Sequence, residues 1–187
     1  MKLLGIVGWS GAGKTTLVVK LITAFTARGL RVATVKHAHH DFDIDQPGKD
    51  SFVHRQAGAG EVIVSSARRF ALIHELAEDE AEMTLPALLK RLAPCDLVLV
   101  EGFKMLTHPK LEVFRVANGR EPLHPCDPCI VGVASDRVFP EAKIPVVPLD
   151  DVAAISNLVL EKAVPIEQAL ARLMPNPHHQ QGVKRTS

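Results

Sequence analysis

The sequence predicts an α/β fold: a parallel sheet flanked by helices, with an inserted antiparallel β-hairpin. Three observations predict it. Short continuous apolar runs such as Leu97-Val98-Leu99-Val100 and Ile130-Val131-Gly132-Val133-Ala134 have the composition of strands buried on both faces of a parallel sheet. Stretches of helical period lie between such runs, as in Leu17, Val18, Leu21, Ile22 and Phe25. A glycine-rich loop joins the first strand to the first helix.

Each element follows in order. Lys2–Val7 reads as a buried strand, and Lys14–Arg28 as a helix that Gly29 closes. Arg31–Lys36 is a second strand, so the β-α-β unit predicts a parallel pair with a right-handed crossover. A polar segment from His37 ends in a Pro-Gly turn before Lys49, after which Asp50 or Ser51 caps a short helix through Gln56. Glu61–Ser65 and Arg69–Ile73 are short strands with a turn at Ser66-Ala67-Arg68. Thr84–Leu92 is a helix with Pro86 in its first turn. Asp96–Glu101 is a strand bounded by carboxylates. Leu111–Ala117 alternates less cleanly, and Asn118-Gly119 after it suggests a hairpin turn. Ile130–Ala134 and Pro145–Pro148 are the last strands, and Asp151–Lys162 and Ile166–Leu173 are helices. Residues 1–174 are expected to form one domain. Residues 175–187, rich in Pro, His, Gln and Lys, are expected to form a flexible tail.

Composition narrows the function classes. The 187 residues are 47% apolar, enough for a full core. Lys+Arg 22 against Asp+Glu 21 leaves a net charge of +1, which argues against a general nucleic-acid binder. No apolar run approaches the roughly 20 residues of a membrane helix. The chain starts on a core-like strand, so no signal peptide and a cytoplasmic location are expected. Cys95, Cys126 and Cys129 are an odd number, so a disulfide framework is not expected.

Gly8-Trp9-Ser10-Gly11-Ala12-Gly13-Lys14-Thr15 fits G-x-x-x-x-G-K-[ST] at every fixed position, between strand and helix. The fold class is therefore P-loop NTPase-like. Gly8, Gly11 and Gly13 permit backbone conformations that a Cβ would hinder, so that N–H groups of Ser10, Ala12 and their neighbours form a concave anion site. The helix N-terminus adds unpaired donors, including that of Thr16. Lys14 is expected on the β- and γ-phosphates and the Thr15 hydroxyl on Mg²⁺.

Ligands in such sheets sit at the carboxyl ends of strands. Glu101 ends its strand there and is the candidate acid, by Mg²⁺ contact or by positioning water. Asp96 starts the same strand, more than about 15 Å away at ~3.3 Å per residue, so it does not serve the same ion. His37, His39, His40, Asp41, Asp43 and Asp45 crowd one loop. A switch loop that senses the γ-phosphate, a metal-delivery site and a solvated polar loop all remain open for it. Gly48-Lys49-Asp50-Ser51 lacks the spacing of a second phosphate loop, though Lys49 can neutralise phosphate charge. Asp136, after a buried strand, is either a guanine reader that accepts from N1–H and N2–H₂ or a turn residue. Cys126-Asp127-Pro128-Cys129 with His124 is a weak metal pattern, having no second cysteine pair.

Taken together, the P-loop, Lys36-His37-Ala38-His39-His40, Pro47-Gly48-Lys49-Asp50-Ser51 and Val100-Glu101-Gly102-Phe103-Lys104 resemble the MobB family, the molybdopterin-guanine dinucleotide biosynthesis adaptor proteins. The resemblance covers about Lys2–Lys162. It implies GTP binding with slow hydrolysis, and homodimers formed through extended sheet elements. It also implies a MobA-type nucleotidyltransferase as partner, the enzyme that joins GMP to molybdopterin. Molybdopterin-bearing proteins are further partners it allows. It places Gly11, Gly13, Lys14, Thr15 and Thr16 on phosphate and Mg²⁺ and gives Glu101 the acidic role. It carries over Asp45 toward the metal and Lys49 and Asp136 toward the nucleotide. Cys126, Cys129 and the tail after Met174 match no family role.

No arginine finger or water-orienting glutamine is assignable from the sequence. P-loop GTPases without one fall to about 10⁻⁴ s⁻¹, which suits a switch or carrier. An ATP-dependent small-molecule kinase or ligase, a metallochaperone GTPase and an adaptor with an idle P-loop are the alternatives.

Overall fold

The structure is a computed structural model that describes residues 1–38 and 42–173. His39, His40, Asp41 and the expected tail lie outside the described residues. The contacts form two compact units, one of Met1–His37 with the chain from Leu85 onward, the other of Ala38–Thr84.

Among the described residues of the first unit, one seven-stranded sheet runs β2 (Val32–Lys36), β5 (Leu97–Glu101), β1 (Lys2–Val7), β6 (Lys110–Phe114), β7 (Ile130–Ser135), β8 (Val146–Pro148), all parallel. A two-residue strand, β9 (Val164–Pro165), pairs antiparallel with the start of β1. β1 and β2 are parallel as expected but do not pair. β5 lies between them, with Leu97 level with both Lys2 and Val32.

Alternation explains why the strands read as unbroken apolar runs. Leu4, Ile6, Leu97 and Leu99 face α1 (Lys14–Ala27) and α4 (Val152–Lys162), which contribute Leu17, Leu21, Phe25, Ile155 and Val159. Leu3, Val98 and Val100 face the other way, toward Leu85 and Leu89 of α3 (Leu85–Leu89) and Ile166 and Ala169 of α5 (Ile166–Leu173). Both faces are covered, so neither needs polar residues. Each fully buried Leu or Phe contributes about 1.5–3 kcal/mol, and Phe25→Ala would cost about 3–5 kcal/mol. Asp151 caps α4 by accepting from the Ala154 N–H at 2.8 Å.

The hairpin expected at Asn118-Gly119 does not form. β6 runs on as a central parallel strand, and Val116–Asn118 is a single 3₁₀ turn that Gly119 ends at φ 58°. Within Leu111–Ala117 the polar Glu112 is fully buried, where it accepts the Leu123 and His124 backbone N–H groups at 2.6 and 2.9 Å.

The second unit holds α2 (Asp50–Gln56) and the hairpin β3 (Glu61–Ser65) and β4 (Phe70–His74), where an antiparallel pair was expected. α2 is preceded by Lys49, whose side chain makes no capping bond; Asp50 lies in the first turn rather than at the cap. One face of the hairpin pairs Ile63 with Leu72 and Ser65 with Phe70, and Ile63 is 66% and Phe70 76% exposed.

Candidate functional site

β1 ends in the middle of the sheet, and the chain then turns into α1 through three glycines with positive φ: Gly8 at 147°, Gly11 at 77° and Gly13 at 92°. A Cβ on Gly8 would run into the Val113 carbonyl oxygen, so both the torsion and the close approach to β6 call for glycine there. The loop is thereby held against the carboxyl end of β6. Ala12 N–H bonds the Trp9 carbonyl at 3.2 Å and closes the turn.

Lys14 folds back across this loop. Its Nζ donates to the carbonyls of Gly8 and Trp9, both at 3.0 Å. Partial burial lowers the Lys14 pKa, Glu101 opposes that shift, and Lys104 and Lys36 reinforce it. Thr15 Oγ1 donates to Glu101 Oε1 at 2.8 Å across the gap between α1 and β5. Lys36, at the end of β2, lies 3.5 Å from the same carboxylate oxygen. Hydroxyl and carboxylate oxygens are a hard donor set, which fits Mg²⁺ and not a soft metal.

The β6 side of the loop is built from residues that sequence reasoning missed. Arg115 Nε donates to the Ala12 carbonyl at 3.4 Å, and Asn118 Nδ2 to the Ser10 carbonyl at 3.0 Å. Asp136 Oδ1 accepts the Val116 N–H at 2.9 Å. Lys20, Arg115, Asp136, Arg137, Pro148 and Leu149 line an open cleft of about 640 Å³. A signal for Arg115 existed, since it follows a strand that neighbours β1. Reading β6 as half of a hairpin hid that strand's carboxyl end. Trp9 is tethered too: its indole N–H bonds the Glu121 carbonyl at 2.8 Å, and Lys104 and Arg120 lie over its ring at 4.9 and 5.5 Å.

Of the residues singled out in the sequence, Gly8, Ser10, Gly11, Ala12, Gly13, Lys14, Thr15, Thr16 and Glu101 come together around the loop, and Asp136 lines the cleft. Asp45 and Lys49 belong to the second unit. There Asp45 is held by Arg55, with Nε to Oδ2 at 3.1 Å and Nη2 to Oδ1 at 2.8 Å. This bidentate bond keeps its carboxyl below the usual carboxylate range, and a metal role would require Arg55 to release it. Asp43 and Glu75 accept from the same guanidinium, each at 2.6 Å. Asp96 is tied to Arg31 at the opposite end of β5. His124 is turned to Glu112 at 2.9 Å, and Cys129 Sγ to the Thr107 carbonyl at 3.4 Å. Among the described residues no three His, Cys, Asp or Glu side chains gather into a metal-holding group.

The family model for MobB, molybdopterin guanine dinucleotide synthesis protein B, matches residues 3–136. The molybdopterin-guanine dinucleotide biosynthesis adapter protein of Escherichia coli (strain K12) is 43% identical over 162 residues, 85% of this chain and 91% of that protein. The adapter protein of the same name from Haemophilus influenzae is 40% identical over 134 residues, 72% of this chain and 74% of its own length. A crystal structure of molybdopterin-guanine biosynthesis protein B superposes with a TM-score of 0.62 at 27% identity, covering 85% of this chain and 98% of the other.

Proposed function

This chain belongs to the MobB family of molybdopterin-guanine dinucleotide biosynthesis adapter proteins, and from that premise we propose that it is a GTP·Mg²⁺-binding adapter with slow GTPase activity. The observation that carries the nucleotide reading is the geometry of Lys14 and Thr15. The Lys14 ammonium is held over the Gly8 and Trp9 carbonyls, 3.0 Å from each, beside the Thr15–Glu101 bond of 2.8 Å. On binding, Lys14 exchanges those neutral carbonyls for β- and γ-phosphate oxygens, which are stronger, charge-assisted acceptors. Backbone N–H groups between Ser10 and Thr16 other than that of Ala12, which bonds Trp9, take the remaining phosphate oxygens. Thr15 and Glu101 hold the Mg²⁺, which neutralises phosphate charge when bound. The cleft beside Asp136 receives the base. A carboxylate has about four lone-pair sites, so Asp136 can hold the Val116 N–H and still accept from guanine N1–H and N2–H₂.

The partner in this reading is a MobA-type nucleotidyltransferase that attaches GMP to molybdopterin. The nucleotide state of the adapter sets its affinity for that enzyme. A second copy of the chain covers the β3–β4 face. A two-stranded hairpin is marginal alone, and an exposed apolar face with free edges invites pairing. Ile63, Leu72 and Phe70 supply such a face. Replacing Ile63 and Phe70 by glutamate is expected to give monomers by sedimentation; unchanged association places the dimer elsewhere.

The deciding experiment is calorimetric titration of GTP, GDP and ATP with Mg²⁺, on wild type and Lys14→Ala. Guanine-selective binding lost in the variant supports the reading. Preference for ATP favours a kinase or ligase and makes Asp136 a turn residue. Capture of the nucleotidyltransferase with GTP, with GDP and without nucleotide then tests the switch, and identical affinity in all three states rejects it.

A further inference from the structure

The two flanks of the phosphate loop differ, and the difference gives a bound nucleotide a direction. Toward β5 stand Thr15, Glu101 and Lys36, the groups suited to a cation and a terminal phosphate. Toward β6 stands Arg115, with no carboxylate paired to it in an ion pair among the described residues. A triphosphate whose cation end lies at Glu101 must run across the loop, so its nucleoside leaves on the β6 side. The open cleft of about 640 Å³ lies on that side, and Arg115 is part of its wall.

Arg115 is placed there by one hydrogen bond of its own and by two that fix the turn after it. Its Nε bonds the Ala12 carbonyl at 3.4 Å, and its Nη2 lies 3.5 Å from where a Cβ on Gly13 would stand. The next residue, Val116, is fixed through its N–H by Asp136 at 2.9 Å. Asn118, at the end of the same 3₁₀ turn, is bonded to the Ser10 carbonyl at 3.0 Å. A planar cation is thus fixed between the phosphate loop and the cleft.

We propose that Arg115 is a nucleotide-positioning residue: its guanidinium plane, bonded to the Ala12 carbonyl, packs against the nucleoside of the bound nucleotide, and Asp136 and Asn118 fix the turn that follows it. The inference rests on the nucleotide reading above and deepens it. A guanidinium presents a flat, weakly hydrated face to a heterocycle, whereas a lysine ammonium is a compact point charge. Arg115→Lys therefore keeps the charge and removes the plane.

The test separates nucleoside from phosphate. Affinities for GTP and for inorganic tripolyphosphate, both with Mg²⁺, are measured on full-length wild type, Arg115→Lys, Arg115→Met and Lys14→Ala, with a melting temperature for each. Arg115→Lys is expected to bind GTP about tenfold more weakly with tripolyphosphate affinity unchanged, and Arg115→Met, which also removes a positive charge beside the loop, to lose more affinity for GTP than for tripolyphosphate. Lys14→Ala is expected to lose both ligands. Equal loss of GTP and tripolyphosphate in the Arg115 variants overturns the proposal, because Arg115 then acts on phosphate or only props the loop. Unchanged GTP affinity overturns it as well. Wild type that binds neither ligand overturns the nucleotide reading itself, and this inference with it.

Discussion

Polar residues stand at both ends of the parallel sheet, and the two ends employ them differently. At the amino ends the charges close on one another. Asp96, just before β5, takes the Arg31 N–H and guanidinium. Lys110, at the start of β6 and 1% exposed, directs Nζ to Asp127 Oδ2 at 2.6 Å and to the Lys104 and Leu106 carbonyls at 2.8 and 2.7 Å. At the carboxyl ends Lys14 is held by two neutral carbonyls, Glu101 by the Thr15 hydroxyl and the Lys36 ammonium, and Asp136, on the wall of the open cleft, by the Val116 N–H. A charge whose partners are all internal contributes to the fold. A charge held loosely beside open space is available to a ligand. If that division is right, substitutions at one end change stability without changing binding, and substitutions at the other do the reverse.

The largest expected effect is at the amino end. Lys110→Met strands the Asp127 carboxylate and two carbonyls, and a broken buried pair costs about 3–5 kcal/mol. Asp127 is 27% exposed and retains some hydration, so about 3 kcal/mol is expected by urea denaturation. Nucleotide affinity of the folded protein should stay the same. An affinity loss matching the stability loss would erase the distinction between the two ends.

His108 sharpens the comparison, because it is the exception at the structural end. It is fully buried, and neither ring nitrogen has a hydrogen-bond partner among the described residues. Burial and then Lys110 push its pKa down to about 4, while Asp127 partly opposes them. Between pH 6.5 and 4 the unfolded chain therefore holds more protons at this site than the folded one. Stability falls as pH falls through that window, by an amount of order 3 kcal/mol. His108→Leu should flatten the slope and cost little at neutral pH, since it removes two unsatisfied nitrogens. Urea midpoints from pH 4 to 7.5 on both proteins check this; parallel pH profiles would assign the acid sensitivity elsewhere.

At the carboxyl end Lys14→Ala should act in the opposite sense. Loss of two charge-assisted phosphate contacts of about 1.5 kcal/mol each weakens GTP binding about 100-fold. Lys14 bonds only neutral carbonyls in this structure, so the melting temperature should barely move. A variant that unfolds instead would make Lys14 a structural strut.

How much of this was legible in the sequence follows the same division. The turn from Gly8 to Thr15 was readable because three glycines between an apolar run and a helical period mark a tight strand-to-helix connection, and the structure has positive φ at all three. Glu101 was readable because an apolar run ended on it at the ligand side of the sheet. β6 was misread because a central strand usually lacks charge, whereas this one carries Lys110 and Glu112 with partners, Asp127 and His124, more than ten residues downstream. Pairing over that separation leaves no local signal. The error carried forward to Arg115, whose role depends on which strand it follows. Asp45 shows the reverse case: its chemistry was visible, but its capture by Arg55 ten residues later was not. The insertion of β5 between β1 and β2 was equally hidden, since three similar apolar runs do not specify which of them pair.

The smallest expected effect is also the most specific. Glu101→Gln keeps an acceptor for the Thr15 hydroxyl and removes the negative charge that faces Lys36. If Glu101 holds the cation with Thr15, the gain in GTP affinity on adding Mg²⁺ should shrink about tenfold, the size typical of a lost metal-supporting carboxylate. Binding without Mg²⁺ should stay the same or tighten slightly, because a like charge beside the phosphates is gone. That opposite movement of the two affinities is something a loosened loop cannot produce, since it would weaken both. A Mg²⁺ gain equal to that of wild type would leave the Thr15–Glu101 bond as a structural link and put the acidic ligand on another residue.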